Sequence, residues 1–453
     1  MSDLRPLRVA IVGAGPAGFY AANSLLKHPS RDVQIDIFDR LTTPYGLVRN
    51  GVAPDHANIK AVTRAFARTA GKPQVRFFGN VTLGTDLTIA DLDAHYDQWL
   101  ISVGCADDRR LNITGEDLPG SLPAREFVAW YNGHPDYTEP RFTLDRERVG
   151  IIGMGNVALD VARILTRSPD ELATTDIAEH ALRALRTSKV KEVTLFARRG
   201  PAQAACTPKE LADLGKLAGV DVVVDPADIG LDAHTLPAEP HPNVLENLGL
   251  FEEFSRRERT PGNRVIRFAF YASPTAIEGT EHVSGLQIGR TELVQRGERW
   301  SATLSDHRST VPVDLVLRSI GYRGHAVEGL IFDERRGLLA SRGARLLDDV
   351  DGEPLAKGFA AGWAKRGPSG VIGTNRSCAQ ETVDEMIALT PNADSELPPA
   401  DAIVALLAER DVRVVTWTDW ERIDAAEVAA GKAVGKPREK ITSLDEALDI
   451  LGD

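Results

Sequence analysis

The hydrophobic pattern opens with a run of small and β-branched residues, LRVAIVGAG at 7–15, that reads as a short buried strand. Apolar residues then recur at helical spacing in AGFYAANSLLKH, which predicts a helix stopped by Pro29. A second apolar run, VQIDIFD at 33–39, predicts the next strand and ends on Asp39. The same grammar returns at residue 148: a strand over 148–152, a glycine turn and a helix in VALDVARILTR that stops at Ser168-Pro169. A second helix in TDIAEHALRALR and a strand within KEVTLFARRG, 191–200, follow it. Strands alternating with helices in this way predict an α/β chain built on parallel sheets. GVIGTNRSCAQETVDEMIAL predicts a helix that Gly370, Val371 and Ile372 open. Beyond it the pattern gives a helix in LPPADAIVALLAER, a short strand VRVVTW, and further helices, the last preceded by a Ser443–Glu446 capping box. Trp417 and Trp420 read as anchors for this tail.

With 453 residues the chain exceeds what one hydrophobic core organises, so two or three domains are expected. Sixty-five acidic residues against 53 basic ones leave a net charge of -12, which argues against non-specific nucleic-acid binding. Cys105, Cys206 and Cys378 are widely spaced and form no C-x-x-C pair, so no zinc, iron–sulfur or dithiol motif is present. Isolated cysteines fit a reducing, cytoplasmic setting. The N-terminus carries no leader pattern, and no apolar run reaches the ~18 residues of a membrane span.

Both glycine turns fit a dinucleotide cradle. In the first, Gly13, Gly15 and Gly18 with Pro16 and Ala17 between them give G-x-G-x-x-G between a strand and a helix. One glycine allows the tight turn, one lets the backbone approach a pyrophosphate, and one lets the helix pack on the strand. Asp39 lies 21 residues after Gly18, where an acid commonly takes a ribose hydroxyl. In the second, Gly153, Met154, Gly155, Asn156, Val157 and Ala158 repeat the turn with alanine for the third glycine. No acid follows its next strand; Arg198 and Arg199 stand there instead, suited to the 2′-phosphate of NADP. Taken alone, such a pair also reads as solvated surface charge. Two cradles suggest a resident FAD and a visiting NADP(H), with hydride passing between them.

Longer stretches carry a resemblance. TPYGLVRNGVAPDHANIK (43–60), FFGNVTLG (77–84), GEDLPG (115–120), GMGNVALDVARIL, ARRGPAQAACTPKEL (197–211) and GWAKRGPSGVIGTN (362–375) come in the order found in adrenodoxin reductase-like NADPH–ferredoxin reductases, which the chain resembles from about residue 8 to its end. The resemblance implies two Rossmann-like dinucleotide-binding domains, with an NADP domain at 106–325 inserted into a discontinuous FAD domain, 1–105 and 326–453. It implies an enzyme that passes electrons from NADPH through FAD, hydride in and single electrons out, to a ferredoxin, generally a small acidic iron–sulfur protein. Carried onto matching positions, it implies flavin contacts at the 13–18 loop, Asp39, Leu47, Val81, Trp363, Gly370, Val371 and Ile372. On the NADP side it implies Arg109, Met154 to Val157, Arg198, Arg199 and Glu210, with Arg110 an alternative to Arg109. It places His56 near the flavin and nicotinamide with Asp213 as its acid, although the residues alone read equally as a helix-capping histidine. Arg49 is expected to position its loop or the flavin.

Residues 40–60 contain no cysteine, so a thiol–disulfide relay of the kind two-cradle disulfide reductases use is excluded. An electron-feeding subunit like the amidotransferase-partner flavoproteins would carry extra N-terminal cysteines, which are missing, and a nucleotide sensor without turnover leaves the flavin segments unexplained. For docking an acidic partner, Arg256, Arg257, Arg259, Arg264 and Arg267 offer either a basic rim or an ordinary solvated loop, and Lys365 and Arg366 lie near the expected flavin.

Overall fold

The computed structural model describes residues 5–452 except 30, 140, 141, 143, 298 and 391–395. Two sheets organise it. The first runs in the order Ser341–Arg342, Arg345–Leu347, Pro354–Ala360, Gln98–Ile101, Leu7–Val12, Val33–Asp39, Val75–Gly79. Its last five strands are parallel, and its first two pair antiparallel at the edge. The second is wholly parallel: Ser121–Pro123, Leu315–Arg318, Arg148–Ile152, Glu192–Phe196, Arg264–Ala269, Val220–Val224. Parallel strands carry helices on both faces, which is why the apolar runs of the sequence are continuous rather than alternating. Each sheet has its own core: Val9, Ile11, Ile35 and Ile37 are fully buried in one, Ile151, Val193 and Leu195 in the other.

The first strand of each cradle lies between two parallel neighbours whose connections leave in opposite directions, so a crevice opens at its carboxyl end. The chain passes between the sheets twice, and the passages run side by side: Asp107–Asp108 pairs antiparallel with Tyr322–Arg323. A three-stranded antiparallel sheet, Ala272–Gly279, Val283–Arg296 and Arg299–Val311, flanks the second sheet.

The C-terminal segment returns to the first half. Trp420 is buried against Tyr45 at 5.9 Å between ring centroids, and Trp417 meets Tyr45 and Phe77 edge-on. Three sequence expectations change here. VRVVTW forms no strand among the described residues; Val415 makes a single bridge to Gly79, because the following Thr416 is already the cap of the Trp417–Ala433 helix. Ser443 Oγ accepts from the Glu446 N–H at 3.4 Å without the return bond of a capping box. The Gly370 segment opens no helix: Gly370 has φ 77°, and helical structure starts at Thr374, whose hydroxyl accepts from the Val371 N–H.

Candidate functional site

The two glycine turns share the same bond at their first glycine and the same steric limits. Gly13 N–H donates to Phe38 O at 2.7 Å, and Gly153 N–H donates to Phe196 O at 3.0 Å. Both glycines have positive φ, and a Cβ on either would strike a backbone carbonyl, Ser102 O at 2.6 Å and Ser319 O at 2.1 Å. The middle glycines differ from these: a Cβ on Gly15 or Gly155 would meet no protein atom within 4 Å. That open face is where a diphosphate approaches backbone. Both middle glycines cap helices, Pro16–Lys27 and Asn156–Thr166, and no side chain caps either one, which leaves the N–H groups and positive dipole ends for an anion. The third position packs tightly in each: Gly18 lies under Gly13 O, and Ala158 is fully buried.

Around the first cradle the fold gathers distant segments. Tyr45 N–H donates to Ala14 O at 2.8 Å, and a Cβ on Gly46 would come within 3.1 Å of Gly15 Cα, so Leu47 stands beside the open glycine. Gly362 lies against Ala17, which brings Trp363 to the same place. Trp363 donates its indole N–H to Ser369 O at 3.2 Å and faces Tyr322 at 5.4 Å. Asp39 accepts from the Ala14 and Leu41 N–H groups at 2.8 and 3.0 Å; burial raises its carboxyl pKa against those two donations. Val81 donates its N–H to Asp39 O and turns its side chain into the core. Leu47 and Val371 are exposed.

Around the second cradle, Met154 O accepts from Ala205 N–H, and Asn156 Oδ1 accepts from Thr207 N–H at 2.8 Å, tying the turn to the segment after Arg199. The strand ends at Phe196, so Arg198 and Arg199 stand in the turn just beyond it. Arg198 is exposed and Arg199 half-buried; burial first, then the Arg198 charge, lowers the Arg199 pKa. Among the described residues neither guanidinium has a carboxylate partner. Arg199 also borders a cleft of about 400 Å³ shared with Gln203, Leu236, His241 and Trp300. Of the two candidates at the passage between sheets, Arg110 is held by Asp117 at 2.6 Å, whereas Arg109 donates its backbone N–H to Gly321 O and its guanidinium has no carboxylate partner among the described residues.

His56 lies at the contact between the two halves, beside the Asp55–Arg163 and Lys60–Asp176 pairs. It caps the Ala57–Lys60 helix of the first half, and its Nε2 lies 3.3 Å from Glu210 Oε2 and 2.9 Å from Arg163 Nη2, both of the second half. Asp213 is not its acid. Asp213 sits in the last turn of the Pro208–Leu214 helix and binds Lys216 at 2.8 Å, whereas Glu210 occupies the first turn facing His56. Of the two roles expected of Arg49, the structure shows the loop-positioning one: it is buried, pairs through both Nη groups with Glu427, and lies over the Trp420 ring. Of the arginines read as a basic rim, Arg256, Arg257 and Arg267 pair with Glu252, Glu253 and Glu192, so the run offers little free positive charge. Arg366 is turned to Ser369 and Asn375, and Lys365 to Thr382 and Glu381.

The chain is 44% identical over 459 residues to NADPH-ferredoxin reductase FprA of Mycobacterium tuberculosis, with 99% of each chain covered. It is 39% identical to the mitochondrial NADPH:adrenodoxin oxidoreductase of Arabidopsis thaliana, covering 98% of this chain and 95% of that one. The chain belongs to the adrenodoxin reductase-like NADPH–ferredoxin reductases. The Mycobacterium tuberculosis FprA structure in complex with NADPH superposes on this member of the family with a TM-score of 0.94, covering 99% of this chain and all of that one. A family model described as pyridine nucleotide-disulphide oxidoreductase matches residues 7–214. The disulfide chemistry in that description needs a cysteine pair, and the three cysteines here are buried and unpaired.

Several residues that hold the site together were not singled out from sequence: Arg163, Asp160, Asp55, Glu427, Lys440 and Tyr322. A signal existed for two of them. Asp160 and Arg163 interrupt the apolar face of VALDVARIL at i and i+3, and both turn out shielded, Arg163 fully buried.

Proposed function

We propose that this reductase binds FAD at the first cradle and NADP(H) at the second, oxidises NADPH, and delivers electrons singly to a small acidic ferredoxin in the cytoplasm. The observation that carries this reading is the pair of uncapped cradles of matching geometry, with His56 of one half set against Glu210 and Arg163 of the other. We assign residues 1–105 and 326–453 to the FAD half and 106–325 to the NADP half, the paired passages at 107–108 and 322–323 being the link.

Gly13 to Gly18 hold the FAD diphosphate, with Asp39 and Val81 toward the adenosine end and Leu47, Trp363 and Gly370 to Ile372 toward the ring. The residues fit that group: Gly15 leaves its face open, and Leu47 and Val371 leave apolar surface for a flat ring to cover. Met154 to Val157 hold the NADP diphosphate, Arg198 and Arg199 grip the 2′-phosphate, and Arg109 is a cation at the passage without a carboxylate partner among the described residues. Bound FAD supplies the exchange between a two-electron donor and a one-electron acceptor. The protein's part is positioning: hydride transfer needs the reacting atoms held about 3–3.5 Å apart and screened from water. Ion pairs across the junction serve that end. Asp55 of the first half binds Arg163 and Arg167 of the second, and Lys60 and Lys440 share Asp176. His56 stands at the junction as the group able to hold or release a proton.

The test is anaerobic mixing of the purified protein with NADPH or NADH while following flavin absorbance, then adding candidate ferredoxins. Rapid bleaching by NADPH, slower bleaching by NADH and recovery on adding ferredoxin are expected. A protein that binds NADPH but never bleaches would overturn the reading.

A further inference from the structure

We propose that Arg163 is a positioning residue that fixes the tautomer and orientation of His56 and does so only while the two halves are docked. Arg163 lies on the helix of the second cradle and is 2% exposed. Its Nε and one Nη2 hydrogen donate to Asp55 at 2.7 and 3.0 Å, and the second Nη2 hydrogen is shared between Asp160 Oδ1 at 2.7 Å and His56 Nε2 at 2.9 Å. Asp55 and His56 belong to the first half. One guanidinium therefore grips the loop of one half and the helix of the other.

The chemistry of the 2.9 Å contact is restrictive. A guanidinium has no lone pair to offer and stays protonated, so the imidazole nitrogen facing it must be the acceptor. A proton on Nε2 would set two N–H groups head to head. His56 is therefore held as the Nδ1–H tautomer. Glu210 competes for the same nitrogen. Its Oε2 lies 3.3 Å from Nε2, buried and without a hydrogen bond among the described residues, and Arg163 Nη1, 3.5 Å from that oxygen, is likewise buried and without one among them. If Arg163 withdraws, the proton site on Nε2 becomes the favoured one, because it can then donate to Glu210. The groups facing the ring are Asp55 and its own loop on one side, and Asp160, Arg163 and Glu210 on the other. The arrangement links the proton position on His56 to closure of the two halves, and rests on the proposed place of His56 at the cofactor junction.

The experiment is histidine ¹⁵N NMR of the FAD-loaded enzyme at mildly alkaline pH, with His56 assigned by loss of its signals in His56→Gln. The wild type is expected to show protonated Nδ1 and lone-pair Nε2; Arg163→Met is expected to move the proton to Nε2, and Arg163→Lys to leave a mixture. Wild-type Nε2 carrying the proton overturns the proposal, whatever the variants do. Flavin reduction by NADPH supplies the second readout. Arg163→Met should slow it about tenfold in the wild-type background and less than twofold in His56→Gln, the non-additivity expected of directly bonded residues. Equal slowing in both backgrounds overturns the proposal, while bleaching of the wild type by NADPH keeps the enzyme reading intact.

Discussion

Replacing Arg198 and Arg199 together by alanine should separate NADPH from NADH. The two guanidiniums face each other's charge with no carboxylate partner among the described residues, and burial already lowers the Arg199 pKa. Such a pair is poised for an external dianion, whose arrival relieves the repulsion between them. A hydrogen bond to a charged group contributes about 1.5–3 kcal/mol, so two arginines contribute about 3–6 kcal/mol. At ~1.4 kcal/mol per tenfold, the KM for NADPH should rise about 10²–10⁴-fold. Arg198 is exposed and screened by solvent, which places the expectation near the lower end. NADH has no phosphate at that position, and its KM should move less than about twofold. The assay is steady-state reduction of a one-electron dye with each nucleotide varied at constant ionic strength, the flavin spectrum confirming that FAD is retained. Because a phosphate monoester loses its second proton near pH ~6, the NADPH penalty should be larger at pH ~7.5 than at pH ~5.5. A parallel rise in both KM values would refute the assignment of the arginines to the phosphate.

Three further outcomes follow from named contacts. Gly15→Ala should fold, because its Cβ meets no protein atom within 4 Å, yet lose FAD by filling the diphosphate face; Gly13→Ala should fail to fold, its Cβ lying 2.6 Å from Ser102 O at φ 108°. Absorbance at the flavin band and circular dichroism separate the two, and a yellow Gly15→Ala protein would count against the first cradle as the FAD site. Glu427→Gln removes the carboxylate that the buried Arg49 shares with Arg438 and the Ile441 N–H and should cost about 3–5 kcal/mol in urea unfolding, with part of the loss recovered in the Arg49→Met, Glu427→Met double variant; a loss under about 1 kcal/mol would show that the pair does not anchor the tail. At Asp176, burial works against ionisation, but the Lys440 and Lys60 charges bring its pKa down to about 2. A carboxyl depressed on folding stabilises above its unfolded pKa near ~3.9 and loses that contribution as pH falls toward 2, about 2 kcal/mol in all. Asp176→Asn should flatten this acid limb of the stability profile, and an unchanged slope between pH ~4 and ~2 would contradict the shared-carboxylate geometry.

How much of the site was legible depends on how local its cause is. The cradles could be read because a tight turn against a carbonyl, an open backbone face and a packed helix each demand a small residue at fixed spacing. Arg198 and Arg199 could be read because the strand end that precedes them sets where they stand. Pairings between distant segments could not. Glu210 and Asp213 are one helical turn apart and alike in chemistry, and only the docking of helix against loop decides that Glu210 meets His56 while Asp213 turns to Lys216. The same holds for Arg49, whose partner lies 378 residues further on.

By itself, then, the sequence determined the two strand–turn–helix units, the absence of a redox cysteine pair and the order of segments along the chain, all consequences of short-range sterics and spacing. Tertiary structure alone decided which charges became buried partners, that Glu210 rather than Asp213 faces His56, and that Arg163 reaches the same ring. Burial removes water as the competing partner, so a buried ion must find whichever opposite charge the packing brings within reach, and that choice is written in the fold rather than in any local stretch of chain.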